Sequence, residues 1–510
     1  MPSKTGLALF GLAASALAEP QVLHMPLTRN PNANRLAKRN GDALVDITND
    51  LSEGLYYVNA SVGTPGQEIQ LTLDTGSSDI WFFGANSCDE NTTDCFGGTY
   101  NPSKSSSVTV LNPKGAFSIQ YGTAGSNVTG NYITDDFSVG AASVKNLTMA
   151  YATYAAYVPT GVMGIGFDTN EAITDEYGSP YPNFVDVLVS QNVTKTKAYS
   201  LWLNDLDSST GNILFGGYDT KKFSGELLTV DIQPDEMSGE ITSMTVAWTS
   251  LNVTANSKTT QVTKSDFTSP ALLDSGTTIT IVPDDIYYAL FEYFQAESDG
   301  EGDAIVKCSL LDSSDGTLDF GFGGTGGPVV KVPFSELALP ATDTNGNWLA
   351  FEDGELACVL GLEGTDDGEM PVIFGDTFLR SAYVVYDLTN KQISLAQTVF
   401  NATDSNIVEI SSSSPVASVV TGVTVTQTAT NNPLGQATAT AASSTPTDSS
   451  GSSINSIGVL SSSTSTATSA ASTSSHGSAA SIPAPVPGLM TSLLVAGASM
   501  MFGSVFFMLH

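Results

Sequence analysis

Basic residues are scarce: 18 Lys and Arg stand against 52 Asp and Glu, a formal net charge of −34. A surface of that sign repels a phosphate backbone and argues against a nucleic-acid partner. It suits an acidic working environment, basic substrates, or both, although a generic solubilising charge would give the same count. Five of the basic residues and one of the acidic ones precede Asn40, which leaves 13 against 51 beyond it, a net of −38. Long helical patterns are also few. From Leu55 to Ala396 the chain runs in short stretches rich in β-branched and aromatic residues, broken by Gly, Asn, Asp and Pro, which points to an all-β body. Tyr56-Tyr57-Val58, Ile69 to Leu73, Phe117 to Tyr121 and Val384-Val385-Tyr386 are examples. A helix is expected over Asp285 to Glu297, after Pro283, where Ile286, Leu290 and Phe294 recur at helical spacing.

Charge is missing altogether from Leu489 to Leu509, and no Lys or Arg follows that apolar run. The missing basic flank argues against an ordinary stop-transfer helix. The small residues Gly477, Ser478 and Ala479, a Pro-rich spacer and the apolar tail fit instead a glycosylphosphatidylinositol (GPI) attachment signal over 481–510, with Gly477 or Ser478 as the attachment residue. A true membrane span is the other reading. Ahead of the tail, 401–480 becomes Ser, Thr and Ala with almost no aromatics, a composition that cannot bury a core and reads as an O-glycosylated stalk. At the other end, Lys4 and the apolar run Leu7 to Leu17, closed by Ala16-Leu17-Ala18, read as a signal peptide over 1–18. Residues 19–39 are short and polar and end in the dibasic pair Lys38-Arg39, as a propeptide would; an exposed linker is the alternative. The folded part is then about 360 residues.

Only four cysteines are present, and in a secreted chain they should pair, with three pairings open. Proximity favours Cys88 with Cys95 and Cys308 with Cys358. Seven Asn-x-Ser/Thr sequons, at Asn59, Asn91, Asn127, Asn146, Asn192, Asn252 and Asn401, fit passage through the secretory pathway, Asn59 least well because it falls in an expected strand.

A weak internal repeat carries the chemistry. Leu71-Thr72-Leu73-Asp74-Thr75-Gly76-Ser77-Ser78 is echoed by Ala271-Leu272-Leu273-Asp274-Ser275-Gly276-Thr277-Thr278. Val162-Met163-Gly164 has its counterpart in Ile373-Phe374-Gly375, about 90 and 100 residues after the respective Asp. A pseudo-twofold axis would bring the two Asp-x-Gly turns face to face. One such turn alone could be an ordinary tight turn after a strand. Two, each ending a buried strand, place two carboxylates in contact, where burial and like charge make them share a proton; the aspartic-protease dyad is the standard example of this effect. The ionised member can then take a proton from water while the other donates to a carbonyl oxygen, with no metal, no cofactor and no covalent intermediate. Gly76 and Gly276 let the backbone come close to the carboxylates. Thr75 and Ser275 can bond across the axis, and Ser77 and Thr277 can donate to the outer carboxylate oxygens.

At these residues the chain resembles the pepsin family of aspartic peptidases, from about Tyr56 to Ala396. The likeness includes Asp-Thr-Gly-Ser-Ser with Trp81 downstream, Tyr121-Gly122-Thr123 at a hairpin tip, Asp-Ser-Gly-Thr-Thr, and Val372-Ile373-Phe374-Gly375-Asp376. It implies a bilobal all-β fold with pseudo-twofold symmetry and a cleft between an N-terminal lobe (40–225) and a C-terminal lobe (226–400). It also implies a monomeric, acid-acting endopeptidase with protein or peptide substrates, in which Asp74 and Asp274 are catalytic. Tyr121, Gly122 and Thr123 would belong to a flap over the substrate and Trp81 would support Tyr121, although a plain core aromatic is the alternative for Trp81. Signal peptide, stalk and GPI signal make it similar to the fungal cell-surface yapsin group, which suggests cleavage after basic residues. Thr123 stands where some relatives that accept basic residues carry Asp, and the 21-residue propeptide is short for the family. Two rival readings fit the sequence less well. A glycosidase also uses two carboxylates but has no need of duplicated Asp-x-Gly turns, and its pair stands further apart. A non-catalytic wall mannoprotein or binding module keeping the fold would be expected to lose one Asp or turn Gly, and all are present.

Overall fold

The computed structural model describes residues 21–29, 55–411 and 416, apart from the short stretches 89–94, 112, 122–125, 174–178, 209, 236–237, 300–302, 313–315, 343–346, 367 and 369. The expected signal peptide, Lys38-Arg39, Asn91, Gly122, Thr123, Gly477, Ser478 and the apolar tail lie outside the described residues. The rest is mostly strand, as the β-branched stretches predict.

Each half of the chain is threaded in the same way. Alternating burial of Ile69, Leu71 and Leu73 makes strand Gln67–Asp74, which runs parallel to Gly161–Gly164 with Asp74 opposite Gly164. Gly161–Gly164 also pairs antiparallel with Ile80–Phe83, so it passes between the two arms of the turn that carries Asp74. In the second half Ser269–Leu273 runs parallel to Ile373–Phe374, which pairs antiparallel with Thr280–Val282. The passage explains why both halves place glycine after two apolar residues. A Cβ on Gly164 would lie 2.7 Å from the Asp79 carbonyl oxygen, and one on Gly375 would lie 2.2 Å from that of Ile279.

The halves are joined by one 14-stranded sheet, in which Ala198–Trp202 pairs with Ala382–Asp387 and Leu201 faces Val384. Tyr199 and Tyr386 stack across that junction with ring centroids 5.0 Å apart. The division expected at 225/226 falls inside strand Phe223–Asp231, which pairs with Gln392–Thr398 in the same sheet.

Four expectations are corrected. Residues 19–39 are not polar throughout in effect: Leu23–Arg29 is a strand between Tyr56–Val62 and Thr210–Phe215, with Leu23, Met25 and Leu27 buried on one face. Residues 401–411, counted above with the stalk, belong to the folded body, because Ile407–Glu409 pairs with Gly217–Asp219 and Ile410 is buried. Averaging over a Ser/Thr-rich window hid that short apolar run. The helix expected over 285–297 spans Asp284–Tyr293. Gln295, at φ 54°, turns the chain out of the helix toward strand Glu297–Ser298. The expected strand at Phe117 to Tyr121 ends at Gln120, which leaves Tyr121 at the hairpin tip. Disulfides join Cys88 to Cys95 and Cys308 to Cys358, with Cα atoms 5.6 and 5.1 Å apart.

Candidate active site

The two Asp turns meet where the halves join, and both carboxylates are buried, Asp74 at 4 % and Asp274 at 0 % exposure. Each is held by its own turn. Asp74 Oδ1 accepts the Gly76 N–H at 2.7 Å and its Oδ2 accepts the Ser77 hydroxyl. Asp274 Oδ1 accepts the Gly276 N–H at 2.8 Å and its Oδ2 accepts the Thr277 hydroxyl at 2.7 Å. Each carboxylate also rests against the other turn's glycine: a Cβ on Gly76 would lie 2.6 Å from Asp274 Cγ, and one on Gly276 would lie 2.6 Å from Asp74 Oδ1. Glycine is thus the residue that permits contact between the pair.

The hydroxyls at the second turn positions lock the turns together. Thr75 Oγ1 donates to the Leu73 counterpart across the axis, the Leu273 carbonyl, at 2.9 Å, and accepts the Ser275 N–H at 2.9 Å. Ser275 Oγ donates to the Leu73 carbonyl at 2.9 Å and accepts the Thr75 N–H at 3.3 Å. Burial first, then the charge of Asp274 and the hydrogen bond from it, hold the Asp74 carboxyl well above the usual carboxylate range, against the opposing pull of Ser77 and Gly76. Such a pair retains a proton in mildly acidic solution and can act as acid and base together.

Tyr121 sits at the tip of the hairpin Phe117–Gln120/Asn127–Val139, and its hydroxyl accepts the Trp81 indole N–H at 2.6 Å. Trp81 is buried, and its ring also meets those of Phe83 and Phe117. Among the sequons, Asn59, Asn146, Asn192 and Asn401 are exposed, whereas Asn127 and Asn252 are half-buried. Asn401 is occupied with Asn204 and Asp205, to which its N–H groups donate. Asn127 opens the returning strand of the Tyr121 hairpin, opposite Gln120.

Three residues that brace the first turn were not anticipated. Asn170 donates from Nδ2 to the Gly76 carbonyl at 3.0 Å, and Asp79 and Glu171 are buried beside it. The repeat itself continues only to Gly166, whose N–H donates to the Ser77 carbonyl at 2.8 Å as that of Asp376 does to the Thr277 carbonyl at 2.8 Å, and it carries no signal for Asn170.

Residues 55–398 match the family described as eukaryotic aspartyl protease. The chain is 36% identical over 400 residues to "Probable aspartic-type endopeptidase opsB" of Aspergillus fumigatus, covering 77% of this chain and 79% of that protein. It is 35% identical over 367 residues to "Secreted aspartic protease 1" of Candida albicans, covering 70% and 84%. The crystal structure of an aspartic proteinase from Irpex lacteus superposes with a TM-score of 0.55 at 21% identity, over 76% of this chain and 100% of that one, a likeness of fold.

Proposed function

The chain belongs to the eukaryotic aspartyl protease family, and from that premise we propose that Asp74 and Asp274 act as one acid–base unit in hydrolysing peptide bonds. The observation that carries this reading is the mutual contact of each buried carboxylate with the opposite glycine, fixed by the crossed Thr75 and Ser275 hydroxyls. The ionised carboxylate removes a proton from water as its oxygen bonds to the peptide carbonyl carbon. The protonated carboxyl gives its proton to the carbonyl oxygen. Collapse of the tetrahedral diol then breaks the C–N bond, and the nitrogen leaves with a proton returned by the pair. The substrate would lie in a cleft between lobes 40–225 and 226–400, under a flap made of Tyr121, Gly122 and Thr123.

The finer reading is an enzyme delivered through the secretory pathway, made as a precursor with residues 19–39 as propeptide, glycosylated, and held at the cell surface through a GPI anchor at Gly477 or Ser478. The signal sequence, the sequons, the Ser/Thr-rich stalk and the uncharged tail support it. Cleavage beside Lys or Arg is supported by the count of 13 basic against 51 acidic residues beyond Arg39.

Purified protein should cleave peptides at acidic pH, with inhibition by statine-type compounds and not by chelators. Asp74→Asn and Asp274→Asn should each lower kcat on the order of 10⁴-fold or more, since members of one catalytic unit do not act additively. Near-normal turnover in either variant would overturn the mechanism. Matched peptides with Lys, Arg, Leu or Phe at the cleaved position, compared at low and high salt, test the preference: a preference seen at low salt alone belongs to the overall field, which is screened over about 8 Å.

A further inference from the structure

Two buried carboxylates lie beside the first Asp-Thr-Gly turn without belonging to the catalytic pair. Asp79 is 2 % exposed; its Oδ1 accepts the Tyr181 hydroxyl at 2.7 Å and the Tyr132 hydroxyl at 3.0 Å, and its Oδ2 accepts the Ala172 N–H at 2.7 Å. Glu171 is fully buried, and its Oε2 accepts the Tyr181 N–H at 2.7 Å. Tyr181 therefore bridges the two acids, through its hydroxyl to one and its backbone to the other.

From this cluster two paths lead to the chemistry. Asn170 holds the Gly76 carbonyl, and the Gly76 N–H in turn holds Asp74. On the other side the Tyr132 ring meets Phe117 edge-on at 5.4 Å, Phe117 lies 6.3 Å from Trp81, and Trp81 holds the Tyr121 hydroxyl. Three consecutive residues, Asn170, Glu171 and Ala172, thus reach the Gly76 carbonyl, the Tyr181 N–H and the Asp79 carboxylate.

We propose that Asp79 and Glu171 are positioning residues for peptide hydrolysis: with Asn170, Ala172 and Tyr181 they hold the Asp74 turn and the aromatic support of Tyr121 in one fixed relation. This rests on the reading of Asp74 and Asp274 given above. Two bare carboxylates buried together would be costly, so the charge is divided between them. Three donors converge on Asp79, which suits an acceptor-only carboxylate and opposes the upward push of its burial. Glu171 is pushed up to about 10, by burial first and then by the charge of Asp79. Asp168 and Asp186, the latter paired with Lys197, add to that push, and the hydroxyls of Tyr121, Tyr132 and Tyr181 are the other titratable groups facing the pair among the described residues. Glu171 is therefore neutral through acidic and neutral pH, and Asp79, also raised by burial, is the member whose three donors suit the charged form.

The test is kcat and KM per active site, with active sites counted by titration against a tight statine inhibitor, so that a loss of folded enzyme does not enter kcat. Asp79→Asn replaces an acceptor by a donor, and Glu171→Ala removes the bridge to Tyr181. Each should lower kcat per site about tenfold or more, the scale of one lost buried hydrogen bond, with KM changed less than about threefold. Glu171→Gln keeps an acceptor for the Tyr181 N–H without needing a proton, and should restore most of what Glu171→Ala loses. Should Asp79→Asn fail to fold, Tyr132→Phe and Tyr181→Phe remove one hydroxyl each and should lower kcat per site in the same direction. Wild-type kcat per site in all of these variants, or Glu171→Gln no better than Glu171→Ala, would overturn the proposal. Wild-type protein without statine-sensitive hydrolysis would overturn the reading of Asp74 and Asp274 instead.

Discussion

The two Asp-x-Gly turns are near copies in backbone and in their own hydrogen bonds, yet they stand on different foundations. Beneath the first lie Asp79, Glu171, Tyr132 and Tyr181, in which tyrosine hydroxyl and backbone N–H groups serve the acids. Beneath the second lies helix Asp376–Leu379, followed by Arg380, which is fully buried and donates from Nε to Glu336 Oε2 at 2.6 Å. The reactive geometry is set by what the halves share, the Asp-x-Gly turn and the glycine threaded past it. The supports have diverged because they need only hold a backbone still, and either a protonated acid or an ion pair can do so.

The largest expected difference between the halves is in their response to pH. Asp74, Asp79, Asp168 and Glu171 are raised in the folded first half, against Asp285 and Glu363, the latter to about 7, in the second, chiefly by burial in every case. A raised carboxyl binds more protons folded than unfolded, so its contribution is whole below the unfolded pKa and is lost as pH climbs through the folded one. For Glu171 that window runs from 4.5 to about 10. Arg380 stays charged throughout. Raising pH from 4 to 8 should therefore lower Tm on the order of 10 °C or more and unfold the first half ahead of the second. Hydrogen exchange resolved by residue checks this; equal loss of protection in both halves would erase the contrast.

A smaller effect runs the other way. Arg380→Met strands Glu336 in the core, and should cost about 3 to 5 kcal/mol near neutral pH, read by denaturant unfolding. A cost under about 1 kcal/mol would show that the ion pair is not what holds this support. Smaller still is the contrast between the disulfides. Cys308–Cys358 closes 50 residues and Cys88–Cys95 closes 7. Loop closure gives about 4 kcal/mol for the first and about 2 kcal/mol for the second, so Cys→Ala pairs should rank in that order.

The paired Asp-x-Gly turns, the crossed hydroxyls, the Tyr121 hairpin and both cysteine pairs were legible because each rests on local spacing or on a repeat. Asp79 reads in the sequence as one more residue after Ser77-Ser78, and Glu171 as one more surface acid; only the fold brings Tyr132 and Tyr181 to them. Leu23–Arg29 was hidden for another reason, since His24, Pro26 and Thr28 interrupt the apolar residues that its burial uses. Arg380 gives no sign of burial in the sequence, because its partner Glu336 lies 44 residues earlier and only the fold brings the two together.

The pairing of Ala198–Trp202 with Ala382–Asp387 has a consequence for biosynthesis. A ribosome adding about 5 to 20 residues per second takes roughly 10 to 40 s to travel from the first of these strands to the second. Through that interval the nascent first half carries a strand with one unpaired edge, Tyr199 and Leu201 among its side chains, and such an edge is a template for pairing with other chains. The last strands to be made are the ones that close the first half, so the chain commits to its fold only near the end of synthesis.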